Sequence, residues 1–152
     1  MNRLQLSVIL GAMTAIGLAE TVPLTFPAAE SGTVTQKPTG DKELVHSLSE
    51  PVALASGGLY GFSYSGREVG NGILLAGSQD VNVDRHCPDQ SWYDFSNVFQ
   101  VQGEGGTPRR EKFHFGNYRG NGEFSFRNWR LVSVKAEYLT ANGLTLDRKS
   151  VV

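Results

Sequence analysis

Residues 113–139 read FHFGNYRGNGEFSFRNWRLVSVKAEYL. Phe113 and Phe115 flank His114, and Phe124 and Phe126 flank Ser125. Val132, Val134, Ala136 and Tyr138 then alternate with Ser133, Lys135 and Glu137. Neighbouring side chains on a strand point to opposite faces, so this alternation predicts strands with one buried face. Asn121-Gly122 lies between two aromatic runs, and both residues tolerate the positive φ of a tight hairpin turn. The stretch therefore predicts an antiparallel pair joined by the loop Gly116 to Gly122. Its phenylalanines face the core. Lys112, His114, Ser125, Arg127 and Trp129 share the solvent side.

Unbroken parity across this stretch would push Asn128 and Arg130 into the core, where an unpaired charge is costly. The chain is therefore expected to leave the core at Asn128 to Arg130, pass a sheet corner or rim, and re-enter in phase. That gathers Arg127, Trp129 and Arg130 at one edge, near Tyr118 and Arg119 if the loop folds back.

Outward from this stretch the same period recurs. Tyr60, Phe62 and Tyr64 alternate with Gly61 and Ser63, Val81 and Val83 with Asp80, Asn82 and Asp84, and Tyr93, Phe95, Phe99 and Val101 with Asp94, Ser96, Val98, Gln100 and Gln102. Asn71-Gly72 and Asn142-Gly143 repeat the turn signal. Many short alternating runs with glycine-rich turns predict an all-β fold: an antiparallel β-sandwich (jelly-roll or Ig-like) or a small barrel. One short N-terminal helix is expected at Asp41 to Leu48, DKELVHSL, capped by Thr39 or Asp41 and stopped by Pro51.

Upstream, Glu20 to Gly40 carries Pro23, Pro27 and Pro38 among Thr, Ser and Gly, which predicts a flexible leader. Val22, Leu24 and Phe26 alternate there, and allow a short edge strand. The chain opens MNRLQLSVILGAMTAIGLAE, with a positive Arg3, an apolar run and small residues at Gly17 and Ala19. This is the layout of a secretory signal peptide cut after Ala19. The expected organisation is a signal peptide over 1–19, a leader over 20–50 and a single β domain over 51–148. The expected location is extracellular or periplasmic. No later stretch is apolar enough to span a membrane.

Cys87 is the only cysteine. It excludes an internal disulfide framework and is expected to be either a buried inert thiol or the link in a disulfide-bonded dimer. Charge is uneven. Glu20 to Glu104 holds 11 acidic and 4 basic residues, whereas Gly105 to Val152 holds 4 acidic and 9 basic. The two halves either attract each other in the fold or present a basic surface to an anionic partner.

Asp80, Asn82 and Asp84 resemble the opening of a calcium loop, but the sixth and twelfth positions, Arg85 and Ser91, exclude an EF-hand. No Cys/His spacing fits zinc. No metal or cofactor is expected. Trp92 faces out or caps a rim, since Tyr93 shares parity with Phe95. Arginine beside exposed aromatics suits sugars, phosphate, sulfate or carboxylate. The expected ligand surface is Trp129, Arg127, Arg130, His114, Arg119, Tyr118 and Lys112. The expected function is non-enzymatic recognition of an anionic polymer, a glycan or a protein partner. The alternative is a small secreted hydrolase or ribonuclease, with His114 working beside Glu111, Arg127 and Arg130.

Overall fold

A computed structural model describes residues 19–37, 46–105 and 107–141. It also leaves the side chains of Tyr118, Arg119, Tyr138, Thr140 and Ala141 undescribed. Residues 1–18 of the expected signal peptide, residues 41–45 of the expected helix and the expected turn at Asn142-Gly143 lie outside the described residues.

Two antiparallel sheets stack face to face. The first contains β1 (Ala19–Val22), β2 (Thr33–Gln36), β5 (Leu59–Val69), β8 (Tyr93–Gln100) and β11 (Glu123–Val134). The second runs β3 (His46–Leu48), β10 (His114–Gly120), β6 (Gly72–Gly77) and β7 (Asn82–Arg85). A small ribbon pairs β4 (Val52–Ala55) with β9 (Pro108–Glu111). The expected all-β sandwich is the observed fold. A short helix, α1 (Ala136–Ala141), follows β11 where alternation had predicted strand. The described end of the expected N-terminal helix, His46 to Leu48, is strand β3. There His46 and Leu48 face outward with His114 of β10, and pairing overrides a weak local helix preference.

The opening stretch decides the architecture, but not as the hairpin that it predicts. β10 and β11 lie in different sheets, and Asn121-Gly122 turns between them. Asn71-Gly72 makes a second crossing of the same kind, from β5 to β6. The two corners touch: the Gly122 N–H donates to the Asn71 carbonyl at 3.1 Å. A Cβ on Gly120, at φ +87°, would collide with that carbonyl. Phe115 and Phe126 therefore meet across the sandwich, stacked with centroids 4.4 Å apart. Phe26, at 4.6 Å from Phe115, and Phe62, at 4.9 Å from Phe113, complete the aromatic centre.

The break at Asn128 is a β-bulge. Arg127 pairs with Ser65 and Arg130 with Ser63, so β11 spends one extra residue there. Asn128 takes φ +55°. The extra residue flips the parity, so re-entry is out of phase. Leu131 joins Phe124 and Phe126 in the core, while Val132 and Val134 are buried on the other face of the sheet. The leader segment is paired into the first sheet on either side of this bulge. β2 lies along Phe124 to Arg127 and β1 along Leu131 to Val134.

Candidate functional site

The outward positions of the first sheet form a polar field. Register places Thr33, Arg127, Ser65 and Asp94 in one row across four strands. Thr35, Ser125 and Arg67 make the next row, and Arg130, Ser63 and Ser96 the row on the other side. The aromatic faces of the same strands point inward, so pleating alone sends this hydroxyl- and arginine-rich set outward.

The field is ordered by short contacts. Trp92 lies just before β8, and the Arg127 guanidinium carbon sits 3.9 Å from its ring centroid. The Ser65 hydroxyl donates to Asp94 Oδ1 at 2.6 Å, and Arg67 Nε donates to the Gln90 carbonyl at 2.9 Å. Thr35 and Ser125 hydroxyls meet at 3.3 Å. Beside Arg127, the β2 edge opens into a polar groove of about 350 Å³ lined by Ala28, Glu30, Ser31, Thr33 and Thr35.

The expected ligand band divides between three places. Arg127 and Arg130 lie on this field, Arg127 exposed and Arg130 half-buried. Trp129 does not join them. It turns inward after the bulge, donates its indole N–H to the Leu24 carbonyl at 3.0 Å and meets Phe26 edge-on at 5.0 Å. His114 belongs to the second sheet and points away on the opposite side of the sandwich, with Lys112 just before that strand. Tyr118 and Arg119 are in the same strand, and their side chains are not described. The sheet crossing at Asn121-Gly122 separates His114 from Arg127, and the bulge at Asn128 turns Trp129 away from both arginines. Trp92, Arg67, Ser65 and Asp94 were missed as site residues, although Trp92, Ser65 and Asp94 each adjoin an inward-facing aromatic and so have the outward parity.

The hydrolase set is also dispersed. Glu111 is buried, with Oε1 2.9 Å from Arg109 Nη2. Arg109 Nη1 is 3.2 Å from buried Asp80. Burial, with Asp80 alongside, pushes the Glu111 carboxyl up to about 7. His114 instead lies against His46 and Asn82, and burial with His46 alongside pushes it down to about 4. Arg127 is on the other face, stacked on Trp92. Glu111, His114 and Arg127 thus occupy three separate neighbourhoods and do not form a cleft.

Asp80 is drawn under Arg109, while Asn82 and Asp84 face outward on β7, so the calcium-like triplet does not converge. Among the described residues, no three His, Cys, Asp or Glu side chains gather as a metal cluster. Cys87 is 3% exposed and packs in the core, with Sγ 3.5 Å from the Gly66 carbonyl. Burial, reinforced by Glu68, pushes its thiol up to about 12. The disulfide-linked dimer is corrected accordingly: the thiol would have to leave the core to reach another chain. Among the described residues no helix is long and apolar enough to cross a membrane.

No protein-family model matches the chain, and no curated protein matches it. Solved structures do resemble it. An arabinose-bound α-L-arabinofuranosidase matches at TM-score 0.53 and 12% identity, over 82% of this chain and 24% of that enzyme. The chain thus spans about a quarter of that enzyme's length, and the likeness is one of fold. A family 16 carbohydrate-binding module matches at TM-score 0.48 and 16% identity, over 72% of this chain and 84% of that one. A carbohydrate-binding module from Cellvibrio mixtus lichenase 5A, in complex with cellotriose, matches at TM-score 0.43 and 14% identity. It covers 76% of this chain and 99% of that module.

Proposed function

We propose that this chain is a secreted, non-catalytic recognition domain that binds an anionic glycan on the outer face of its first sheet. The observation that carries the reading is the Arg127 guanidinium on the Trp92 ring, set in a row of hydroxyls and a carboxylate. A sugar ring offers an apolar C–H face and a rim of hydroxyls. An aromatic ledge with fixed donors and acceptors around it complements both. Arg67, Arg127 and Arg130 on that face favour a ligand with carboxylate or sulfate groups, which guanidinium binds through paired N–H donors. The groove at Thr33 and Thr35 extends the same face past Arg127 and has room for a neighbouring residue of the ligand. The positive, apolar, small-residue pattern of residues 1–19 supports export, and cleavage after Ala19 leaves Glu20 to Val22 paired to β11.

The test uses tryptophan fluorescence. Trp129→Phe leaves Trp92 as the single reporter on the proposed site. Titration with a polyuronate should shift its emission, and a neutral β-glucan of similar length should bind more weakly. Arg127→Ala should weaken polyuronate binding roughly tenfold, the worth of a charge-assisted hydrogen bond of about 1.5 kcal/mol. An unchanged affinity in both Arg127→Ala and Trp92→Ala would remove the site.

A further inference from the structure

The outward face of the second sheet carries a different arrangement. His46 of β3 and His114 of β10 lie with ring centroids 5.1 Å apart and planes tilted by 34°. Two glycines make the approach. Gly116 is the residue directly opposite His46, and without a side chain there the His46 ring can lean along the sheet toward His114. Gly77 is directly opposite His114 and in turn opposite Asn82. A Cβ on Gly77 would also collide with the Val81 carbonyl. Across that gap Asn82 Oδ1 reaches His114 Nε2 at 3.3 Å.

The chemistry follows from which ring nitrogen is occupied. Asn82 Oδ1 is an acceptor, so the Nε2 that meets it carries the proton and donates. His114 Nδ1 then keeps its lone pair. An oxygen acceptor on the far nitrogen is the usual way to fix the tautomer and orientation of a metal-binding imidazole. The ring spacing fits as well. Two imidazoles bound tetrahedrally to one zinc ion, with Zn–N of about 2.0–2.1 Å, have centroids about 5 Å apart. His46 is exposed, which leaves the pair open to solvent on its side.

We propose that His46 and His114, with Asn82 orienting His114, form a binding site for a divalent transition-metal ion, Zn²⁺, Ni²⁺ or Cu²⁺. Imidazole suits these ions, whereas Ca²⁺ and Mg²⁺ require oxygen ligands. Two protein nitrogens leave the remaining positions of the ion to water or to an incoming ligand. The site is on the opposite side of the sandwich from the Trp92–Arg127 field and does not depend on glycan binding.

The test is calorimetric titration of the full chain with ZnCl₂ and NiCl₂ at pH 7.5, with MgCl₂ as the comparison. One ion per chain should bind with Zn²⁺ or Ni²⁺, and none with Mg²⁺. His46→Ala, at an exposed position, should abolish binding without unfolding the protein, and Asn82→Ala should weaken it at least tenfold. His86→Ala, which changes the remaining histidine, should leave it intact. Zinc-induced NMR shifts should centre on the His46 and His114 ring protons, a readout that needs no variant to fold. Absence of saturable binding below millimolar ion overturns the proposal. So does binding that survives His46→Ala, or shifts centred on His86.

Discussion

Asn128 shows how much one residue can redirect. Its φ of +55° belongs to the left-handed region, which Asn enters at lower cost than most residues because its short amide bonds locally. The bulge it forms turns Trp129 inward and sends Arg130 outward beside Ser63. Replacing Asn128 with Gly should be neutral or stabilise the fold by up to about 1 kcal/mol, since Gly takes this conformation freely. Replacing it with Val should cost on the order of 1–2 kcal/mol, because a β-branched residue fits poorly at positive φ. Urea midpoints at constant slope would measure both. A stabilised Val variant would mean that the bulge is not held at this residue.

At the scale of elements, β11 is the strand on which the first sheet depends. It pairs with β5 along nearly its full length on one side, and with β2 and β1 on the other. The segment expected as a flexible leader therefore covers an edge that would otherwise present unpaired N–H and C=O groups. It also brings Phe26 onto Phe115 and a carbonyl from Leu24 to Trp129. A chain lacking residues 1–36 should lose several kcal/mol of stability and aggregate through the uncovered side of β11. Size-exclusion chromatography and thermal melts would check this. A monomeric truncation with an unchanged melting temperature would return the segment to the role of a loose arm. The proline-rich composition hid these strands because each is short and its partners lie about a hundred residues away.

The whole molecule combines two ionisable sites, buried Glu111 and half-buried His114, whose effects on stability oppose each other. Glu111 is pushed up from its ordinary 4.5 to about 7, so the folded state holds its proton more tightly than the unfolded chain. Its contribution is full below pH 4.5 and is lost as pH rises through 7. His114 is pushed down from 6.5 to about 4, so its contribution is full above pH 6.5 and is lost as pH falls through 4. Between 4.5 and 6.5 the two slopes should largely cancel. Glu111→Gln should expose the histidine slope, with stability rising on the order of 2 kcal/mol from pH 4 to 6.5. His114→Gln should expose the opposite slope, falling from pH 4.5 to 7. Denaturation series across this range decide the matter, and parallel profiles in wild type and both variants would contradict it. The uneven charge of the two halves is partly answered here too: Arg109 from the basic half reaches buried Asp80 from the acidic half.

The period-two aromatic pattern determined from sequence alone that the chain is all-β, which residues face the core up to Arg127, and that regular pairing breaks near Asn128; beyond that point the bulge reversed the expected parity. These features are local: they follow from pleat alternation and from the cost of burying an arginine. The alternation also contained the polar field, since Arg127, Ser65 and Asp94 all lie opposite in parity to buried neighbours. Tertiary structure alone decided that Asn71-Gly72 and Asn121-Gly122 turn between sheets. An Asn-Gly turn has the same local chemistry whether the following strand pairs with its predecessor or stacks over it. That one choice places His114 and Arg127 on opposite sides of the sandwich, brings Trp92 to Arg127 and sets His46 beside His114. Each pairing depends on contacts between residues far apart in the chain, and no local pattern specifies those.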